Sequence, residues 1–213
     1  RAPVLARTGE SLPSGHGVAR PPQRRGVDRL EGARRARQVD ASEDIVKAML
    51  DPYNPHGYTD HVSFITTKQN LWETRLSHVN YVVCDSDWEA EFARVVEAHT
   101  ATISYVKNQA LGFEVPYRSG STPRRYVPDF IVQLDDGHGE DDPLNLIIEV
   151  KGYRGLDEQI KAETMTNLWV PGVNNLKAYG RWDFRELRDA FAMEEEYRKL
   201  VESLGSVRSE ENA

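Results

Sequence analysis

Tyr126-Val-Pro-Asp-Phe-Ile-Val-Gln-Leu134 and Leu144-Asn-Leu-Ile-Ile-Glu-Val-Lys151 are two runs dominated by β-branched, aromatic and aliphatic residues, and they read as strands. Residues 135–143, Asp-Asp-Gly-His-Gly-Glu-Asp-Asp-Pro, are then the turn of a hairpin centred on Gly139. Symmetry about that centre sets Leu134 opposite Leu144, Val132 opposite Leu146, Phe130 opposite Ile148 and Asp129 opposite Glu149. Alternation places Phe130, Val132, Leu134, Leu144, Leu146, Ile148 and Val150 on one face, an apolar surface that requires a core. The other face carries Asp129, Glu149 and Lys151. Like charges directly opposed in a sheet, with Cβ atoms roughly 5 Å apart, are destabilising unless something neutralises them.

A divalent cation does so. Magnesium prefers hard oxygen ligands, keeps several waters and is commonly held by one or two carboxylates plus a substrate phosphate. Asp129 and Glu149 suit that role, with manganese as a substitute ion and the backbone carbonyl of Val150 as a further oxygen ligand. Lys151, two residues from Glu149 and on its face, is placed to orient an attacking water and to stabilise a negative transition state. The same residues also read as a solvated salt bridge, because two acids and a lysine at strand ends are common.

The wider pattern separates these readings. Asp129 with Glu149-x-Lys151 on a hairpin resembles the PD-(D/E)XK nuclease signature. Tyr105-Val-Lys-Asn, Leu111-Gly-Phe-Glu-Val-Pro-Tyr117, the two strands and Trp169-Val-Pro-Gly-Val-Asn174 are together similar to the C-terminal endonuclease domain of type III restriction enzyme R (Res) subunits. The similarity spans about residues 41–187. It implies a mixed α/β fold with an α-β-β-β-α-β core, a mixed sheet flanked by helices and the metal site on the acidic hairpin. It also implies double-stranded DNA as substrate, a helicase-like translocase in cis that uses ATP, and a partner methyltransferase subunit that reads the DNA site. The chain contains no G-x-x-x-x-G-K-[ST] phosphate loop, so the translocase is expected in another part of a longer polypeptide.

Against this core, a leading helix is expected from Ser86, a first strand over residues 113–118, and a helix over 156–169 ended by Pro171 and Gly172. A short strand near 182–187 and an amphipathic helix over 187–204 follow, the latter with an apolar stripe that includes Phe191. Glu89 on the leading helix has two readings. It is an auxiliary acid of the site, or it completes a capping box in which Ser86 caps and Glu89 reaches back to the Ser86 amide. Arg118, Arg124 and Arg125 precede the Asp129 strand, and Lys151 and Arg154 leave its partner at the same end, so these cations form the expected DNA-contacting cluster.

With 213 residues the chain holds one sizeable domain plus tails. We divide it into an Arg/Pro/Gly-rich disordered tail or linker (1–40), a connecting segment with a short helix and strands (41–84), the nuclease-like domain (85–204) and a frayed terminus (205–213). A formal net charge of -7 excludes a generally basic nucleic-acid-binding surface and leaves DNA contact to local cations. One cysteine excludes an internal disulfide and suits a reducing, cytoplasmic setting. No apolar run is long enough to span a membrane. The acidic turn lacks EF-hand ligand spacing, and His56 and His61 lack zinc partners. Two alternatives remain open: a noncatalytic DNA-binding or subunit-docking module, and the nuclease domain of a repair helicase-nuclease.

Overall fold

The computed structural model describes residues 2–5, 59–139, 141–150 and 156–211. In chain order the strands are β1 (Ala2–Leu5), β2 (Ser63–Thr66), β3 (Leu71–Glu73), β4 (Tyr81–Val83), β5 (Thr102–Lys107), β6 (Val115–Ser119), β7 (Thr122–Tyr126), β8 (Phe130–Leu134), β9 (Leu144–Val150) and β10 (Arg181–Leu187). The helices are α1 (Asp87–Ala98), α2 (Leu156–Thr164), α3 (Val170–Asn174) and α4 (Met193–Glu211), with a π-helical turn, Met165–Trp169, joining α2 to α3.

The hairpin read from the sequence is the centre of a four-stranded mixed sheet. Its order is β10-β9-β8-β5, antiparallel except for the parallel pair β9 and β10. The expected pairs Phe130 with Ile148, Val132 with Leu146 and Leu134 with Leu144 are all present. The ladder stops at Phe130, so Asp129 lies one residue outside it instead of facing Glu149 as a ladder pair. Pro128 has no N–H to donate, which breaks the expected 126–134 strand into the end of β7 and the start of β8.

Both faces of the sheet are covered. Phe130, Val132, Leu146 and Ile148 pack with Phe92 and Val96 of α1 and with Met193 and Tyr197 of α4. Ile131, Ile147, Trp182 and Phe184 pack with Met165, Trp169 and Val173, and with Tyr117 and Tyr126 of the β6–β7 hairpin. Two-sided burial explains why these strands read as nearly continuous apolar runs. Each large side chain so buried contributes roughly 1.5–3 kcal/mol of transfer free energy.

Several expectations are corrected. The first strand of the sheet is β5, not residues 113–118; β6 instead pairs with β7 in a separate two-stranded ribbon turned at Gly120, whose φ of 60° suits glycine. Pro171 does not end the second helix. Val170 N–H bonds the Met165 carbonyl, and this wider π turn precedes Pro171, which sits in the first turn of α3. The turn also seats Trp169 edge-on to Phe113 and Trp182, with ring centroids 5.5 and 5.3 Å away. The last helix begins at Met193 rather than 187 and extends to Glu211, past the terminus expected to fray. Leu187 ends β10, and Phe191 is fully exposed before the helix starts. Ala2–Leu5, inside the stretch read as disordered, pairs antiparallel with Ser63–Thr66, because an extended edge can satisfy a short segment's backbone without a core of its own. The helix expected near 41–50 and His56 lie outside the described residues. No helix among the described residues is long and apolar enough to cross a membrane.

Candidate active site

Asp129 is placed by backbone clamps on the segment that Pro128 keeps out of the ladder. The Asn108 amide donates to the Asp129 carbonyl at 2.8 Å, and Asn108 Nδ2 donates to the carbonyls of Pro128 at 3.0 Å and Phe113 at 2.7 Å. Asn108 Oδ1 accepts from the Phe113 amide at 3.1 Å, so one buried side chain closes the 108–113 loop against the start of β8. The Asp129 carboxylate then reaches across to β9 and accepts from the Val150 amide at 2.8 Å. Among the described residues it makes no ion pair.

Glu149 is buried on β9, in the layer that also holds Ile147. The Tyr126 hydroxyl, at the foot of the ribbon, donates a short hydrogen bond to it. On the parallel neighbour β10, Glu186 stands in register with Glu149 and is ion-paired to Arg188 at 2.6 Å. Burial and the Glu149 charge push the Asp129 carboxyl well above the ordinary carboxylate range, and the Val150 amide offsets only part of this. Burial, followed by the Glu149 charge, raises the Tyr126 phenol, which keeps it a neutral donor. The site is thus a pair of acids brought together at the ends of adjacent strands, Asp129 oriented by the Val150 amide and Glu149 by the Tyr126 hydroxyl.

Glu89 lies nearby in a different environment. Ser86 Oγ caps α1 by accepting from the Glu89 amide at 3.2 Å, as the capping-box reading requires. The Glu89 carboxylate, however, accepts from the Asp85 amide at 2.5 Å rather than from Ser86, and it is ion-paired to Lys107 Nζ at 2.6 Å. Lys107, buried on β5, also donates to Asp85 Oδ2 at 2.8 Å and to the Val83 carbonyl at 2.7 Å. These bonds use all three donors of the ammonium.

The arginines are less concentrated than expected. Arg118 is exposed on β6. Arg124 reaches Asp157 of α2 at 3.3 Å, where Tyr117 Oη also donates at 2.8 Å, and Arg125 pairs with Glu114 at 2.7 Å. Arg118 and Arg125 share one side of the ribbon and Arg124 the other, since ladder partners point the same way and Arg124 pairs with Tyr117. Lys161 of α2 stands over the Tyr126 ring, 5.7 Å from its centroid, and so brings a cation near the foot of the ribbon. Lys151 and Arg154 lie outside the described residues.

Asp129 and Glu149 offer hard oxygen donors, and their mutual repulsion is what a divalent cation would relieve, so the donor set fits magnesium or manganese. Among the described residues no group of three His, Cys, Asp or Glu converges on one metal position. The fit is therefore to a cation held by two carboxylates that completes its shell with other oxygens.

Sequence reasoning missed Tyr126, Asn108, Lys107 and Glu186. Tyr126 and Asn108 act through contacts that local spacing does not encode. Glu186 carries no local signal either, since its strand also holds Arg181, Asp183 and Arg185.

A family model described as an endonuclease domain matches residues 75–168. The matched span includes α1, β5, the ribbon, β8, β9 and most of the helix that follows, and so contains Glu89, Lys107, Asp129 and Glu149. It indicates an endonuclease domain. No curated protein and no solved structure matches the chain.

Proposed function

We propose that this chain is a metal-dependent endonuclease domain of the PD-(D/E)XK type that hydrolyses DNA phosphodiester bonds, part of the R subunit of a type III restriction-modification enzyme. The observation that carries the reading is the carboxylate pair of Asp129, half-buried one residue before β8, and Glu149, buried on the neighbouring β9, without an ion pair at Asp129 among the described residues. The order of elements supports it: helix α1, strands β5, β8 and β9, helix α2, then β10 added parallel to β9. The match of residues 75–168 to an endonuclease domain supports the chemistry.

In this reading Asp129, Glu149 and the Val150 carbonyl hold a magnesium ion, for which manganese substitutes. Such an ion supplies Lewis-acid activation of water and shields charge that develops on the phosphate. Tyr126 fixes the rotamer of Glu149, and the Val150 amide fixes that of Asp129, so the ligands are positioned before the ion arrives. Lys151 orients the attacking water. Arg118, Arg124 and Arg125 contact the duplex from the ribbon rooted beside Asp129, and Arg154 is a further contact. A net charge of -7 makes such a local platform necessary. ATP enters only through a translocase elsewhere in the polypeptide, and a methyltransferase subunit supplies site recognition. The lone cysteine, Cys84, is free and buried, which suits a reducing, cytoplasmic location.

The test is nicking of supercoiled plasmid by the purified chain with magnesium or manganese. Asp129→Ala and Glu149→Ala are expected to abolish nicking while circular dichroism shows a folded domain. Full activity in either folded variant refutes the assignment. Metal-indifferent DNA binding without cleavage would favour a noncatalytic module.

A further inference from the structure

Three acids stand near one another where the start of β8 meets α1 and β9, and they are treated differently. Asp129 accepts from the Val150 amide and Glu149 from the Tyr126 hydroxyl. Glu89 is locked by a buried ammonium that has used every donor it possesses, on Asp85, Glu89 and Val83. The charges of Glu89 and Lys107 both reach Asp129, with opposite signs. Lys107 and Asn108 are consecutive: one residue fixes Glu89, and the next fixes the backbone of Pro128 and Asp129.

We infer that Lys107 is a positioning residue that sequesters Glu89 as an internal ion pair, holding it out of the ligand set and limiting the cation site to the two carboxylates of Asp129 and Glu149. The inference rests on the proposed metal site and decides between the two sequence readings of Glu89 in favour of neither. The carboxylate does not reach back to the Ser86 amide, and it does not serve as a free acid. A buried carboxylate bonded to an ammonium gains little by exchanging it for a shared cation, because the ammonium would then be left buried and unpaired. Without the ammonium, the same carboxylate becomes a third hard ligand next to a pair that already attracts divalent ions. Lys107 thereby sets the charge of the site as well as its geometry.

Manganese binding by titration calorimetry, beside metal-free thermal melts, tests this on the wild-type chain and on Asp129→Asn, Glu89→Gln, Lys107→Met and the double variant Glu89→Gln/Lys107→Met. Asp129→Asn is expected to remove binding. Glu89→Gln keeps a hydrogen-bond acceptor for Lys107 and is expected to weaken binding by no more than about tenfold, the size of an outer-layer effect. Lys107→Met is expected to tighten binding about tenfold, because Glu89 joins the site, and the added Glu89→Gln change is expected to cancel that gain. Loss of binding in Glu89→Gln as complete as in Asp129→Asn overturns the inference, as does unchanged or weaker binding in a folded Lys107→Met. If Lys107→Met does not fold, the Glu89→Gln arm decides alone. If the wild type shows no manganese binding that Asp129→Asn removes, the proposed metal site fails. The ion pair is then judged by the melts, where Glu89→Gln must recover stability lost in Lys107→Met; no recovery overturns it.

Discussion

The two ends of the β8–β9 hairpin both carry acids, and they treat them in opposite ways. At the closed end, Asp135 caps the turn by accepting from the amides of Gly137 and Gly139 at 2.8 and 3.1 Å. Asp136 is gripped by both terminal nitrogens of Arg181 at 2.6 and 2.7 Å and by His138 at 3.0 Å, which hold its carboxyl below the usual range despite burial. At the open end Asp129 is half-buried and forms no ion pair among the described residues; desolvation and the Glu149 charge outweigh the Val150 amide and the Lys107 charge, and its carboxyl is pushed up. Burial raises both carboxyls, so the sign of the net shift is decided by the neighbour. An acid whose charge is answered locally is structural. An acid buried against another acid stores unfavourable energy, and such sites concentrate where chemistry is done.

This contrast can be broken by exchanging the two kinds of site. Asp129→Asn keeps an acceptor for the Val150 amide and removes a repelling charge. It is expected to abolish metal-dependent nicking and, without metal, to melt no lower than wild type. A clear drop in melting temperature would show that the open-end acid is structural after all. Tyr126→Phe removes the hydroxyl that donates to Glu149, and about 10- to 100-fold loss of cleavage is expected, as for ligand-orienting groups in metal sites. Raising the metal concentration should restore part of that loss; cleavage equal to wild type would remove Tyr126 from the site.

At the closed end the sign reverses. Arg181→Ala is expected to leave cleavage intact per folded molecule and to cost about 3 kcal/mol in denaturant unfolding, because a buried Asp136 loses its bidentate partner. A cost below about 1 kcal/mol, the range of exposed pairs, would place this ion pair with the surface ones.

A smaller effect concerns His78, which is half-buried beside β5. Its Nε2 faces Ser104 Oγ, which itself donates to Gln133, and its Nδ1 faces Thr59 Oγ1. This arrangement suits a neutral ring protonated at Nε2. Burial lowers its pKa from 6.5 to about 4. The unfolded chain takes up the proton first, so stability is full above the unfolded value and falls as pH drops toward the folded one. A loss on the order of 2 kcal/mol between about pH 7 and pH 5 is expected from this group. His78→Gln should flatten that part of the profile, and an unchanged slope would show that His78 is not its source.

The central hairpin was legible in the sequence because strand alternation and a nine-residue acidic turn fix a register by symmetry, and β8 and β9 pair accordingly. The start of α1 at Ser86 was legible from its capping residue, and the strand near 182–187 from the element order that the family resemblance implies. Strand β5 was not legible. Thr-Ile-Ser-Tyr-Val-Lys carries polar residues at 102, 104 and 107, on both faces, and Ser104 and Lys107 are buried because they meet Gln133 and Glu89 across elements distant in the chain. The continuation of the helix through Pro171 was also hidden, since a π turn depends on the aromatic packing of Trp169 as well as on local propensity.

Sequence by itself therefore determined the two carboxylates, the hairpin that carries them and the mixed α/β class, because period-two alternation and residue chemistry are local properties. Tertiary structure alone decided which acids are answered and which are not. It committed Glu89 to Lys107, assigned Tyr126 to Glu149, set Glu186 beside Glu149 and tied Arg124 and Arg125 to acids of their own. Charge compensation depends on distances of a few ångströms between residues tens of positions apart, and only the folded chain sets those distances.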